Sequence, residues 1–275
     1  IVTATNKAKM TTTVKRTITI DTVKPTITWT SPTADHYYNS KTQTFTGGAS
    51  DTLSGLKSIQ VKYASGDAYT DLATSTTWLA TNTFATEGSK TIYLKVTDNA
   101  GNENEETRAF SIDTTAPVID SVTASPATVN NSTTGNVTIT ATNVTDTLDS
   151  LYDVASVAVY EGSTSIGNMT RSGTTTTWTL STAASGLAEG SHTYTVTATD
   201  NAGNVSASKT VIVSVDKTLP TMTISSVTPT VSGKMNGTVT VAAVAKDETK
   251  LASYSWSIYN GTTLVTTTGA SGGET

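Results

Sequence analysis

Thr19-Ile20-Asp21-Thr22-Val23-Lys24-Pro25 returns as Ser111-Ile112-Asp113-Thr114-Thr115-Ala116-Pro117, and again as Ser214-Val215-Asp216-Lys217-Thr218-Leu219-Pro220. One identical pentapeptide stands ahead of the second and third copies: Asp98-Asn99-Ala100-Gly101-Asn102 and Asp200-Asn201-Ala202-Gly203-Asn204. Asp21 and Asp113 are 92 positions apart, Asp113 and Asp216 103. A period of that length holds one whole β-sandwich per repeat rather than a solenoid turn. The chain reads as a string of beads, each boundary carrying an aspartate with proline four residues on.

Between these marks the apolar residues alternate. Thr26-Ile27-Thr28-Trp29 reads as a first strand, and Phe45, Gly47 and Ala49 share one face of a second that ends at Asp51. Ile59, Val61 and Tyr63 follow on a third, Trp78 opens a middle strand, and Ile92, Leu94, Val96, then Phe110 and Ile112, point inward from the last two. Period-two alternation over about seven strands is the signature of a sandwich. The next bead repeats the plan through Val137-Thr138-Ile139-Thr140-Ala141, Val157-Ala158-Val159, Trp178, Glu189-Gly190 and Val211, Val213 and Val215. Trp78 and Trp178 recur at equivalent places within alternating strands, which marks them as core anchors rather than sugar-stacking platforms.

Composition agrees. Hydrophobic residues make up 36% of the 275 and charged residues 14%. The abundant Thr and Val are β-branched and favour strands, and no stretch keeps a helical period. The fold class expected is all-β, with tandem immunoglobulin-like sandwiches in an elongated array. Val2-Thr3-Ala4-Thr5-Asn6 matches Val196-Thr197-Ala198-Thr199-Asp200, so residues 1–22 are expected to be the closing hairpin of a preceding sandwich. The remaining beads are residues 23–114, residues 115–217 and a partial one at 218–275.

A net charge of −5 disfavours nucleic acid, whose phosphates demand clustered Lys and Arg. No apolar run is long enough to cross a bilayer. Cysteine is absent, which removes thiol catalysis and thiolate metal sites. No His-Glu-x-x-His pair is present, and each of the two histidines, His36 and His192, stands alone. Glu105-Glu106 beside Thr107-Arg108 reads as a solvated strand, not as a glycosidase pair. The chain is read as non-catalytic.

In an immunoglobulin-like sandwich the second-to-third and sixth-to-seventh strand loops share an end with the incoming chain. One pole of the first full bead is thus expected to gather Asp21, Asp51, Ser54, Asp98, Asn99 and Asn102. The next gathers Asp113, then Asp146, Asp149 and Asp153, then Asp200, Asn201 and Asn204. A third would combine Asp216 with Asp247 and Glu248. Converging carboxylates repel unless a cation lies among them, and oxygen-only donors suit Ca²⁺ rather than Zn²⁺. The same Asp-Asn-Ala-Gly-Asn also reads as turn chemistry alone, with Gly at positive φ and Asx side chains capping the backbone. Both readings stand on the sequence. The metal set expected under the first is Asp21, Asp51, Asp98, Asn102, Asp113, Asp146, Asp149, Asp200, Asn204, Asp216 and Asp247, with Ca²⁺ at the domain junctions.

The pairing of Asp-Asn-Ala-Gly-Asn before a closing strand with Asp-Thr-x-x-Pro at the boundary resembles bacterial immunoglobulin-like (Big) domains over residues from about 1 to 222. Such repeats build large secreted adhesins and biofilm-associated surface proteins, often with calcium at module junctions. The resemblance therefore implies calcium at Asp21, Asp51 and Asp98, and at Asp113, Asp146 and Asp200. Lys246-Asp247-Glu248 departs from the Asp-Thr-Leu of the earlier loops. The function this implies is an extracellular spacer of a bacterial surface adhesin, its partners being the neighbouring Ig-like domains. The alternatives are a module that binds a surface glycan or host protein through Tyr37, Tyr38 or Tyr69, and an accessory region of a large secreted enzyme.

Overall fold

A computed structural model of the chain describes residues 1–130, 133–147, 153–228, 240–247, 251, 253–260 and 262–271. Twenty-three strands and one short 3-10 turn, Ala184–Gly186, make up the regular structure of those residues. Among them no helix is long and apolar enough to cross a membrane. The chain divides into two compact units. One is Ile1–Pro117 with Thr145–Ala155 and Thr199–Ser206; the other is Val118–Val144, Ser156–Ala198 and Ala207–Thr275.

In the first unit β1 (Val2–Thr5) and β2 (Thr11–Val14) form a hairpin. The sandwich that follows has eight strands: β3 (Thr26–Ser31), β4 (His36–Tyr38), β5 (Thr42–Ser50), β6 (Leu56–Lys62), β7 (Thr70–Leu72), β8 (Thr77–Thr83), β9 (Gly88–Asp98) and β10 (Glu103–Ile112). One sheet runs β3-β5-β8 and the other β4-β10-β9-β6-β7. Their inner faces supply one core: Ile27, Phe45, Ala49, Trp78 and Ala80 from the smaller sheet, and Ile59, Val61, Ile92, Leu94, Val96, Phe110 and Ile112 from the larger. Each fully buried Ile, Leu or Phe contributes about 1.5–3 kcal/mol. The alternation read from sequence is what places these residues on one side of each pleat.

The second sandwich is built from β11 (Ser121–Ser125), β12 (Thr128–Val129), β13 (Asn136–Thr142), β14 (Val154–Glu161), β15 (Thr164–Asn168), β16 (Thr170–Arg171), β17 (Trp178–Ala183), β18 (Gly190–Asp200) and β19 (Lys209–Val215). Its sheets run β11-β13-β17-β16 and β12-β19-β18-β14-β15. Val137, Ile139, Ala141 and Trp178 are buried from one, and Val157, Val159, Tyr194, Val196, Val213 and Val215 from the other. The two sandwiches thus share an order, and both tryptophans are core residues. In each, a short strand pairs in parallel with the closing strand: β4 with β10, β12 with β19. These short strands go beyond the roughly seven that alternation predicts.

Beyond them lie two further hairpins, β20 (Thr221–Thr228) with β21 (Thr240–Lys246), and β22 (Ser253–Asn260) with β23 (Thr263–Ser271). Exposure sets the ends of the chain apart from the sandwiches. Ile18 and Ile20 are exposed, whereas Phe110 and Ile112, at the same places in the repeat, are fully buried.

Candidate metal centres

Three chain segments meet at one end of the first sandwich: the incoming Asp21, the β5–β6 loop Asp51–Gly55, and the β9–β10 loop beginning at Asp98. Each loop folds on its own carboxylate. Asp51 Oδ1 accepts the amides of Leu53, Ser54 and Gly55 at 3.1, 2.9 and 2.8 Å. Asp98 Oδ1 accepts those of Gly101 and Asn102 at 2.7 and 2.8 Å, and its Oδ2 takes Asn102 Nδ2 at 2.7 Å. Gly101 makes that turn possible with φ +96°, a conformation that side-chain-bearing residues rarely adopt. Asn102 Nδ2 also reaches the Asp21 carbonyl at 3.2 Å, and Ser54 N donates to Asp21 Oδ2 at 3.1 Å. Asn99 Nδ2 donates to the Ser54 carbonyl at 2.8 Å and so ties the two loops together. Asp21, Asp51 and Asp98 each bring a carboxylate oxygen into a group whose members lie within 4.8 Å of one another.

The same end of the second sandwich carries Asp113, Asp146 and Asp153, again with oxygens within 4.8 Å of one another. All three are buried, as is Asp200. Asn204 repeats the part of Asn102: its Nδ2 donates to Asp200 Oδ2 at 2.7 Å and to the Asp113 and Thr115 carbonyls at 2.9 and 3.3 Å. Asp113 Oδ1 accepts Thr115 N at 3.0 Å, Asp153 Oδ1 accepts Asn201 Nδ2 at 3.2 Å, and Asp146 Oδ1 accepts Thr147 N. The Oδ2 atoms of Asp113, Asp146 and Asp153 are buried with no hydrogen-bond partner; in the first cluster that is true of Asp51 Oδ2 alone.

Electrostatics follow the hydrogen bonds. Burial pushes the Asp98 carboxyl up, but the Asn102 side chain and the amides of Asn102, Gly101 and Ala100 outweigh it and leave it below the ordinary range. Asp113 is pushed up to about 6, by burial first and then by the charges of Asp146, Asp200 and Asp153 against the single amide of Thr115. Burial first, then the charges of Asp146 and Asp200, raise Asp153, while Asn201 and the Asp113 carboxyl, with which it can share a proton, oppose.

The linker is held from its other side too. Glu87, in the Glu87-Gly88 turn before β9, accepts Thr114 Oγ1 and, at 3.1 Å, Thr115 Oγ1. Glu189 of the matching turn accepts Lys217 N at 2.8 Å. The sequence shows both Glu-Gly pairs as turns; their grip on the outgoing linker is added by the structure.

Of the residues expected at the metal, the structure thus groups Asp21, Asp51 and Asp98, with Asn102 bridging, and Asp113 with Asp146, with Asn204 bridging. Asp153, expected at that pole but outside the metal set, is the third member of the second group. Asp200 instead has both oxygens bound by Asn204. Asp149 lies outside the described residues, as does Glu248. Asp216 and Asp247 are half-buried, and among the described residues neither joins two further carboxylates. Asp216 N donates to the Val129 carbonyl at 2.8 Å.

Other expected residues have structural employment. Tyr37, Tyr38 and Tyr69 are half-buried rather than exposed, Tyr38 packing edge-on against Phe110 at 5.8 Å. Tyr69 lies under the ammonium groups of Lys62 and Lys95, at 4.7 and 4.8 Å. Glu106 accepts Trp29 Nε1 at 2.9 Å.

Residues 118–217 match the bacterial Ig-like domain family. No curated protein matches the chain. Among solved structures it is similar to the fibronectin(III)-like modules of Clostridium thermocellum CbhA, at 17% identity over 70% of this chain and 95% of that one, with a TM-score of 0.45. A 1.5-MDa bacterial ice-binding adhesin is similar at 18% identity over 77% and 71%, with a TM-score of 0.35. A tetra-tandem repeat from the extending region of a large adhesion protein is similar at 19% identity over 98% and 68%, with a TM-score of 0.32.

Proposed function

We infer, from the membership of residues 118–217 in the bacterial Ig-like domain family, that the chain is a non-catalytic extracellular spacer of a bacterial surface adhesin, stiffened by calcium. The observation that carries the calcium is the row of buried, unpartnered Oδ2 atoms on Asp113, Asp146 and Asp153. Buried carboxylate oxygens without donors are costly, and a divalent cation answers both the missing partners and the mutual repulsion. A separation of up to 4.8 Å is the span of two Ca–O bonds of about 2.4 Å.

Asp113 belongs to the linker, so a cation held there fastens the linker to the loops that carry Asp146 and Asp153. Extracellular modules bind calcium at ~0.1–1 mM. At ~2 mM free calcium and a Kd of ~0.1 mM, linkage adds roughly 1.8 kcal/mol to the folded state. Calcium would then remove freedom from the linker as well as stabilise the sandwich.

Small-angle scattering and thermal unfolding, with calcium and with EDTA, test this. Calcium is expected to narrow the distribution of interatomic distances and raise the Tm. Identical profiles and identical Tm values in both buffers would leave an inert tether. The alternative, recognition of a glycan or host protein, is supported by Tyr69 and Tyr93 on one outer sheet face, both within 5 Å of the Lys62 ammonium. Binding on a glycan array that is lost in Tyr69→Ala would favour it.

A further inference from the structure

The two acid clusters occupy equivalent ends of equivalent sandwiches, yet their oxygens are spent differently. In the first, Asp98 has both oxygens committed and Asp21 has one amide on each: Val23 N to Oδ1 at 2.9 Å and Ser54 N to Oδ2 at 3.1 Å. Asp51 Oδ1 takes three amides. Fixed donors thus compensate five of the six carboxylate oxygens, and Asp51 Oδ2 alone is buried without one. In the second cluster Asp113 and Asp153 each receive one hydrogen bond on Oδ1 and Asp146 receives two there, both from Thr147, while none of the three receives one on Oδ2.

The cause lies in one loop. Asn99 N donates to the Gly55 carbonyl at 3.0 Å, and Asn201 N donates to the Asp153 carbonyl at 2.9 Å. Asn99 and Asn201 hold the same place in the repeated pentapeptide, so Asp153 stands where the first sandwich has Gly55. Gly55 contributes an amide to Asp51; Asp153 contributes another negative charge. The first loop brings its amides back to Asp51 within four residues. The second sets Asp153 seven positions after Asp146 and gives Asp146 the amide of Thr147.

We propose that the two ends are unequal: the Asp113–Asp146–Asp153 cluster is a high-affinity site for a hard divalent cation such as Ca²⁺, whereas the Asp21–Asp51–Asp98 cluster is an amide clasp that closes without one. This rests on the calcium reading above and adds to it which linker responds to the cation.

Calorimetric titration of the 275-residue chain with CaCl₂ tests the proposal, beside Asp153→Asn, Asp153→Gly and Asp51→Asn. The Asn variant keeps an oxygen for Asn201, and the Gly variant copies Gly55, so at least one retains the fold by circular dichroism. The intact chain is expected to show a tight site at least tenfold stronger than any at Asp21–Asp51–Asp98. Both Asp153 variants should lose it and Asp51→Asn should keep it. Equal affinities at the two clusters, or a tight site lost in Asp51→Asn and kept in the Asp153 variants, overturns the inequality and leaves the calcium reading standing. Absence of any calcium binding by the intact chain overturns both.

Discussion

Asn204 donates its side-chain amide to the main-chain carbonyl of Asp113 at 2.9 Å, across 91 positions of sequence. The same nitrogen reaches the Thr115 carbonyl and Asp200 Oδ2, so one amide joins the linker to the loop that closes the second sandwich. Asn204→Ala leaves a buried carboxylate oxygen and a linker carbonyl without their donor. Deleting one member of such a network costs about 1–3 kcal/mol. Urea unfolding should show a midpoint lowered accordingly in the presence of calcium. An unchanged midpoint would mean that solvent replaces Asn204 without loss.

Glu87 holds the same linker through the hydroxyls of Thr114 and Thr115. Glu87→Ala should therefore loosen residues 113–117 while leaving the core untouched. The contact is part-exposed, so its effect on global stability is small, about 1 kcal/mol or less. Local opening is the sensitive readout. Amide hydrogen exchange at Thr115 is expected to accelerate several-fold, and exchange at Leu94 and Phe110 to stay as it was.

Alternation made the core legible because the long strands of the two sandwiches have one wet and one dry face. Phe45, Ile59, Leu94, Val137 and Val213 all fall where period two places them. The short strands His36–Tyr38, Thr70–Leu72, Thr128–Val129 and Thr170–Arg171 escape such a reading, since two or three residues carry no period. The meeting of Asp21, Asp51 and Asp98 followed from loop order in the sandwich. The place of Asp153 did not, because its equivalence to Gly55 lies in a backbone hydrogen bond and not in side-chain likeness. The role of Glu87 was hidden for a related reason: a Glu-Gly turn looks the same whether or not its carboxylate has a partner.

Gly47 illustrates packing that the repeat does not conserve. It pairs with Trp29 on one side and Trp78 on the other, and the two rings meet edge-on at 5.0 Å. A Cβ there would lie 2.0 Å from the Thr28 carbonyl oxygen and 2.5 Å from the Trp78 ring. Its counterpart Ala141 pairs with Val122 and Trp178 and buries its methyl group fully. Gly47→Ala should cost about 3 kcal/mol through overpacking. Ala141→Gly should cost nearer 1 kcal/mol, mainly through backbone entropy. Thermal unfolding of the two variants separates the cases, and comparable losses would contradict the packing argument.

His192 links stability to pH. Its Nε2 lies 3.0 Å from the Ala188 carbonyl and its Nδ1 2.7 Å from Glu161. The Ala188 carbonyl raises its pKa most, burial opposes, and the Glu161 carboxylate adds to the rise. The folded state therefore holds this proton more tightly than the unfolded chain, whose histidine titrates near 6.5. The stabilisation is complete below that value and is lost as pH climbs through the higher folded pKa. Asp113 has the same sign in a lower window: its folded pKa of about 6 lies above the unfolded value near 4, so without cation stability falls as pH rises between them. Denaturation in EDTA should accordingly show two separable declines. His192→Gln should abolish the one above pH ~6.5, and Asp113→Asn should diminish the one below ~6, to which the raised Asp153 also contributes. Saturating calcium should reverse the lower one, because the cation favours ionised Asp113, and leave the upper one unchanged. If calcium also flattened the upper decline, that decline would have to come from a group at the acid cluster and not from His192.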